Sequence, residues 1–177
     1  MATVKPTRWQ ESGLTLWWVM LVVLVLDQLT KVWVVQALPL FGRVDVLPFF
    51  DLVHVRNYGA AFSFLSDQGG WQRWFFTLIA LVIVAVLLIF LRRQGRQLKV
   101  LNWSFALLVG GALGNVVDRV RLGYVVDFLD FYVGSYHWPA FNVADSAIVI
   151  GAGLMIYDSF FGSGAKSDVN QKSKPKS

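Results

Sequence analysis

The sequence predicts an all-α membrane bundle of four transmembrane helices, with a small extended or β segment and a loop on the outer side. Of its 177 residues, 56% are hydrophobic and only 15% are charged, whereas soluble domains carry roughly 25% charged residues. Four separate apolar stretches can each cross about 30 Å of hydrocarbon. The chain has no cysteine, which excludes disulfides, thiolate nucleophiles and iron–sulfur clusters.

Four spans are predicted, at about residues 14–38, 74–91, 100–117 and 141–161. Asp27 and Lys31 interrupt the first span, whereas the second and third carry no charge. Lys5 and Arg8 precede the first apolar run, as they would in a secretory signal, but no small-residue cleavage site follows, so an uncleaved anchor is the preferred reading. We expect residues 1–161 to form one domain.

Basic residues predict the orientation. They concentrate in three segments: Lys5 and Arg8; Arg92, Arg93, Arg96 and Lys99; and Lys166, Lys172, Lys174 and Lys176. The links 39–73 and 118–140 carry basic residues at lower density, so the positive-inside rule places both termini in the cytoplasm and these two links outside. The net charge of +5 therefore reports topology and lipid contact rather than a nucleic-acid partner. The Lys/Ser-rich tail 162–177 is expected to be disordered.

Two aspartates, Asp127 and Asp145, lie in apolar surroundings near the predicted outer surface. Ionisable groups in such a place are costly and usually functional. Other polar residues fall on the same surface: Asn57, Asn115, Asp118, Arg119 and Asn142. A transporter would carry polar groups through the whole membrane thickness, but the cytoplasmic halves of the last three spans are almost bare of them. The pattern favours a reactive site at one membrane surface.

Local spacing predicts how the two aspartates meet. Asn142 and Asp145 are three residues apart, so they share one face of the fourth helix. The stretch 122–133 is rich in β-branched and aromatic residues, which favour an extended conformation. We expect it to carry Asp127 toward the fourth helix.

A pair of close carboxyls suits hydrolysis by activated water. Two such groups cannot both ionise, so one accepts a proton from water while the other donates to the scissile carbonyl. His54 and His137 are the only histidines and form no zinc-protease motif. Ser63 and Ser146 lack a Gly-x-Ser-x-Gly setting. We therefore expect neither a metal nor another cofactor.

Five motifs occur in order along the chain: LDQLTK (26–31), NYGAAFSF (57–64), GGALGNVVDR (110–119), VVDF (125–128) and FNVADS (141–146). Together they resemble the motif set of bacterial lipoprotein signal peptidases, also called signal peptidase II. The resemblance covers residues 16–157.

The resemblance implies an aspartic endopeptidase of the bacterial inner membrane. It would remove the signal peptide from diacylglyceryl-modified prolipoproteins, cutting before the lipid-bearing cysteine, with Asp127 and Asp145 as catalytic residues near the periplasmic face. Positions implied to bind substrate or support this pair are Asn57, Gly59, Asn115, Arg119 and Asn142. The family also implies an extended segment within link 39–73 and a mobile outer loop. The expected partners are a lipid-modified prolipoprotein and membrane lipid, and the expected state is a monomer.

For several polar residues the sequence also allows a purely structural role. Asp27 and Lys31 are four apart and can neutralise each other within one helix, with Asp118 as a further structural charge. Arg119 has two open readings, an ion pair with Asp118 at a helix end or contact with substrate. Asn57, close before a glycine, can simply make a tight turn. Gly110 and Gly114 form a small-xxx-small pattern typical of close helix packing.

Two other classes compete. A non-enzymatic four-span protein, such as a small transporter or an assembly factor for lipid-anchored partners, would place polar residues in both halves of the bundle. A lipid-modifying transferase would need phosphate-binding basic residues or an aspartate array on the cytoplasmic side. The sequence shows the first feature only around Asp27–Lys31 and lacks the second.

Overall fold

A computed structural model describes residues 9–59, 70–96 and 98–162. This part contains four long helices: α1 (Trp17–Ala37), α2 (Gln72–Arg93), α3 (Lys99–Leu122) and α4 (Val143–Phe161). Two short 3₁₀ turns, Trp9–Glu11 and Gly13–Leu16, precede α1. Each long helix is apolar and long enough to cross a membrane. The predicted four-helix bundle is confirmed.

Three segments that carry sequence predictions are not among the residues that the structure describes. The structure does not describe the N-terminal arm with Lys5 and Arg8, residues 60–69 of the longer outer link, or residues 163–177 of the predicted tail 162–177. The mobile outer loop that the family resemblance implies stays a prediction.

Helix α3 lies at the centre of the bundle because small residues let its neighbours approach. A methyl group added at Gly110 would meet Met20 and Val23 of α1, and one added at Gly111 would meet Ala144 and Ile148 of α4. Such close approach of backbones is how helices associate in lipid. Side chains of α1, α2 and α3 form the apolar core: Val19, Met20, Val84, Leu87, Leu91, Phe105, Ala106 and Val109.

The outward faces of α1 and α2 are apolar. Large side chains there are exposed in the isolated chain, among them Leu21, Leu29, Leu78, Val82 and Ile83. Trp17, Trp18, Trp71 and Trp74 are also exposed and lie at the starts of these two helices. This arrangement suits a bundle surrounded by lipid, with tryptophans at the membrane–water interfaces.

A four-stranded antiparallel sheet lies beside one end of the bundle, in the order β1 (Arg43–Leu47), β2 (Phe50–Asn57), β3 (Val125–Val133) and β4 (Tyr136–His137). Strand β3 confirms the extended stretch expected at 122–133 for residues 125–133, whereas Leu122 is the last residue of α3. The longer outer link supplies the hairpin β1–β2. In the β2–β3 register, Val55 is opposite Asp127 and Asn57 is opposite Val125, which brings Asn57 close to Asp127.

The helix boundaries differ from the predicted spans by a few residues, and two of the differences affect polar residues at the sheet end of the bundle. Helix α3 continues to Leu122, beyond the predicted end at 117, so Asp118 and Arg119 lie in the helix rather than in link 118–140. Both side chains have partners inside the protein. The helix ends at Leu122, where Gly123 caps it in a left-handed conformation (φ 86°).

Helix α4 begins at Val143 rather than at the predicted 141. The preceding residue, Asn142, has an extended backbone (φ −135°, ψ −175°), and its side chain caps the helix. A capping asparagine lies outside the helical conformation and bonds to the free N–H groups of the first turn.

Candidate active site

Asn142 joins the two carboxyl groups that the sequence singled out. Asp127 is the third residue of β3, and Asp145 is the third residue of α4. The side-chain nitrogen of Asn142 donates to Asp127 Oδ1 at 2.7 Å, and its side-chain oxygen accepts from the Asp145 backbone N–H at 2.9 Å. The Asn142 backbone N–H donates to Asp145 Oδ2 at 3.3 Å, which completes a capping box. One residue therefore holds a strand carboxyl and a helix carboxyl in the same network.

Two further amides hold the same carboxyls. Asn115 of α3 donates to Asp145 Oδ1 at 2.8 Å. Asn57, at the end of β2, donates to Asp127 Oδ2 at 3.0 Å. The structure thus brings together three asparagines that lie far apart in sequence, each contacting one or both aspartates.

Arg119 and Gly59 position Asn57. The Gly59 backbone N–H donates to Asn57 Oδ1 at 3.0 Å, which is the tight turn expected from sequence. Arg119 donates to the Gly59 carbonyl at 3.2 Å, and its guanidinium lies 5.5 Å from the centre of the Phe76 ring. Asn57 therefore makes a turn and contacts Asp127 at the same time, so its two readings are compatible.

Lys31 lies next to Asn115, the residue that contacts Asp145. Its ammonium is 2.9 Å from Asp27 Oδ2 and 2.9 Å from Asp118 Oδ2, and it donates to Asn115 Oδ1 at 3.1 Å. The expected intrahelical pair with Asp27 is present. Asp118, however, pairs with Lys31 of α1 instead of its neighbour Arg119, because α1 and α3 pack side by side at this level.

Sequence reasoning missed Gln28. Its side-chain nitrogen lies 2.9 Å from Asp118 Oδ1 and 3.2 Å from both Asp27 Oδ2 and the Gly114 carbonyl. The only signal for it was its place beside Asp27 in LDQLTK. A glutamine in an apolar helix carries little information until its partners on the neighbouring helix are known.

The two aspartates differ in environment. Asp127 is only 3% exposed, whereas Asp145 is half-buried. Burial raises the pKa of Asp127 to about 7, and the nearby Asp145 charge adds to this, while the bonds from Asn57 and Asn142 oppose it. A carboxyl with a pKa near 7 can hold or release a proton at neutral pH.

Other titratable groups lie apart from this network. On the β3–β4 hairpin, Asp130 Oδ2 lies within hydrogen-bond distance of His137 Nδ1, at 2.8 Å. Asp158 lies near the far end of α4. Within residues 9–59, 70–96 and 98–162, no three His, Cys, Asp or Glu side chains are arranged to hold a metal ion.

Residues 19–161 match the family model for signal peptidase (SPase) II. The chain belongs to the signal peptidase II family. The resemblance drawn from the five motifs is thereby confirmed, and with it the prediction that the protein is a peptidase. A family of membrane enzymes also agrees with the four apolar helices of the bundle.

Curated relatives and solved structures extend the match over nearly the whole chain. The lipoprotein signal peptidase of Shewanella oneidensis is 53% identical over 169 residues, covering 96% of this chain and 99% of that protein. That of Shewanella loihica is 56% identical over 155 residues, covering 88% and 91%.

Two bacterial membrane enzymes solved by the in meso method share the fold of this signal peptidase II family member. One has a TM-score of 0.77 at 32% identity, covering 92% of this chain and 94% of the other. The second has a TM-score of 0.72 at 33% identity, covering 84% and 94%.

Proposed function

We propose that this protein is an aspartic endopeptidase that removes signal peptides from diacylglyceryl-modified prolipoproteins, cutting before the lipid-bearing cysteine. Asp127 and Asp145 are its catalytic residues, and Asn57, Asn115 and Asn142 hold them. The observation that carries the proposal is the Asn142 bridge, since one residue contacts both carboxyls: its side-chain amide donates to Asp127 and its backbone N–H donates to Asp145. Family membership supports the peptidase class and the lipoprotein substrate.

The resting proton belongs on Asp127. Its pKa of about 7 reflects burial first and the neighbouring Asp145 charge second. Asp145 lies in the first turn of α4, where its carboxyl accepts bonds from Asn115 and from the Asn142 backbone. With the proton on Asp127, Asp145 serves as the carboxylate that accepts a proton from water. The pair therefore carries one proton and one negative charge.

Hydrolysis then follows in two balanced steps. Asp145 takes a proton from water as the water oxygen bonds to the scissile carbonyl carbon, and Asp127 gives its proton to the carbonyl oxygen. The resulting gem-diol collapses when Asp127 regains that proton and Asp145 protonates the amide nitrogen, so the C–N bond breaks. The products are the signal-peptide carboxyl group and the amine of the lipid-bearing cysteine, and both aspartates return to their starting states.

The placement of the site suits a substrate held by its lipid. The site lies where α3 ends, α4 begins and the sheet packs, whereas the basic turn between α2 and α3 lies at the opposite end of the bundle. With that turn in the cytoplasm, the catalytic pair lies near the periplasmic face of the inner membrane, and both termini are cytoplasmic. One chain supplies both carboxyls, so a monomer is sufficient.

The test is cleavage of a diacylglyceryl-modified prolipoprotein by purified protein in detergent. We expect the wild type to cut before the lipidated cysteine, and Asp127→Asn and Asp145→Asn to lose at least about 10³-fold in kcat, since a neutral amide cannot exchange protons. Asp158→Asn is the matched control, because it removes an aspartate of α4 that lies outside the site, and it should cut normally. Size-exclusion profiles and thermal midpoints report folding of each variant.

Either of two results would contradict the proposal. A folded Asp127→Asn or Asp145→Asn protein that cuts at near wild-type rate would exclude the two-aspartate mechanism. A wild-type protein that binds the lipidated precursor but never cuts it would favour the assembly-factor reading instead.

A further inference from the structure

Lys31 is an ammonium group within the bundle with only 3% of its side chain exposed. It projects from α1 and contacts Asp27, Asp118 and Asn115 at 2.9, 2.9 and 3.1 Å. A buried charge is costly unless several partners surround it. None of its partners is a proposed catalytic residue, so the mechanism above assigns no role to Lys31.

Two of these partners lead to the backbone directly before the catalytic residues. Asp27 Oδ1 accepts the backbone N–H of Ala144 at 2.9 Å, one residue before Asp145. Asp118 Oδ2 accepts the backbone N–H of Val126 at 3.1 Å, one residue before Asp127. Lys31 thus connects, through one carboxylate on each side, the helix that carries one catalytic group and the strand that carries the other.

The third partner orients an amide. Asn115 Oδ1 accepts from Lys31 and also from Asn142, at 3.1 and 3.3 Å. With the oxygen turned toward these donors, the Asn115 nitrogen faces Asp145 Oδ1 at 2.8 Å. Loss of the ammonium would remove the stronger of the two donors that hold this orientation.

We propose that Lys31 is a positioning residue that sets the separation and relative orientation of the two catalytic carboxyls through Asp27, Asp118 and Asn115. The inference rests on the proposed two-aspartate mechanism. Without Lys31, the buried carboxylates of Asp27 and Asp118 repel each other. The backbones of α4 and β3 that they hold then lose their shared contact through Lys31. A shift of about 1 Å between reacting groups can lower a rate by about 10²-fold.

The same change alters the proton balance of Asp127. The charged groups around Asp127 are Asp145 from α4, Lys31 from α1, and Arg119 and Asp118 from α3. Lys31 lowers the pKa of Asp127, against burial. Removing Lys31 therefore raises that pKa, and the alkaline limb of kcat, where the Asp127 proton is lost, moves to higher pH.

The experiment measures kcat, KM and the pH profile of Lys31→Met with a diacylglyceryl-modified peptide, per folded protein. We expect kcat to fall by about 10²-fold with KM within about threefold of wild type, and the alkaline limb to move up. Lys31→Met/Asp118→Asn removes one positive and one negative charge, leaves Asp27 bonded to Ala144, and should show the same kcat loss with better folding.

Two controls separate positioning from stability and from failure of the mechanism itself. Ser104→Ala removes a buried bond of 2.7 Å to the Gly151 carbonyl in the α3–α4 interface, so it should lower the thermal midpoint and leave kcat and the pH profile unchanged. Asp127→Asn reports the mechanism, and activity in that variant would exclude the dyad regardless of Lys31.

If Asp127→Asn is inactive while folded Lys31→Met, or the folded double variant, keeps kcat within about threefold of wild type, the positioning role is overturned and the dyad stands. Failure of both Lys31 variants to fold would likewise overturn it, because it would assign Lys31 to bundle stability. A large kcat loss with a shifted alkaline limb and unchanged KM would support it.

Discussion

The side chain of Asn142 makes two contacts with different roles. It caps α4 through the Asp145 backbone and donates to the Asp127 carboxyl. Loss of a capping residue alone typically costs about 1 kcal/mol, and here the same loss would release the carboxyl of Asp127, which we propose to be catalytic. The start of α4 and the reactive site are therefore one structural unit at the scale of a single residue.

Asn57→Ala should move the alkaline limb of the kcat profile to higher pH and lower kcat. Its 3.0 Å bond to Asp127 favours the ionised carboxyl, so its loss raises the Asp127 pKa above the present value of about 7. The measurement is kcat from pH 5 to 9 with a lipidated peptide. Asp45→Asn, on β1 of the same sheet, is the matched control and should leave the profile unchanged. A limb that stays in place or moves to lower pH would contradict the role given to Asn57.

The raised pKa of Asp127 also predicts how stability depends on pH. Its ordinary value is about 4, and its folded value is about 7, so the folded state holds this proton while the unfolded state has lost it. The resulting stability is fully present below pH 4 and is lost as pH rises through 7, by up to about 1.4 kcal/mol per pH unit. Relative to Asp127→Asn, which does not titrate, the wild type should therefore lose thermal stability in detergent between pH 5 and pH 8. A difference between the two proteins that does not change with pH would exclude this linkage.

At the scale of elements, the proposed site depends on the contact between α3 and the first turn of α4. Gly111 faces the Ala144 backbone and Ile148, directly beside Asp145, so the two helices approach closely at the level of Asp145. The small-xxx-small pattern predicted close packing in general. That pattern, Gly110 and Gly114, did not include Gly111, and it did not say that α3 would also pack against the first turn of α4, because this depends on how the helices are arranged.

Gly111→Ala should lower both the thermal midpoint and kcat, because a methyl group there overlaps the Ala144 carbonyl and forces α3 and α4 apart. Gly153→Ala is the matched control on α4, since nothing lies within 4 Å of the added methyl group. That variant should be neutral or stabilised by about 0.5–1 kcal/mol through helix propensity. Thermal melts and cleavage rates of the two variants check this. Equal behaviour of both glycines would show that the close approach at Gly111 does not matter.

At the scale of the whole molecule, the fold separates a basic end from a reactive end. The basic turn between α2 and α3 lies at one end, and the sheet with the proposed catalytic pair lies at the other. The positive-inside rule then orients the bundle. A lipid-anchored substrate can reach such a site by diffusion in the bilayer, without leaving the membrane.

The absence of cysteine allows this orientation to be measured with single introduced thiols. Asp45→Cys places a thiol on exposed β1, and Arg93→Cys places one at the exposed end of α2. In spheroplasts, a membrane-impermeant maleimide should label the first and should label the second only after permeabilisation. Labelling of Arg93→Cys in intact spheroplasts, with Asp45→Cys protected, would invert the proposed topology.

The sequence by itself determined the class of molecule and the identity of the central residues. Length, apolar content and the spacing of charges dictate four spans, since the bilayer thickness fixes how many residues a helix needs. Asp127 and Asp145 were identifiable because a carboxyl in apolar surroundings is costly and so is seldom present without a purpose. Five ordered motifs then predicted the family.

Only the tertiary structure decided which groups touch. Lys31 is 87 residues from Asp118, and sequence spacing paired it only with Asp27, four residues away. Likewise Asp118 has Arg119 as its neighbour in sequence but Lys31 as its partner in space. Contacts within one helix follow from its period of 3.6 residues, whereas contacts between helices depend on rotation and depth, which the packing of small residues such as Gly110 and Gly111 sets.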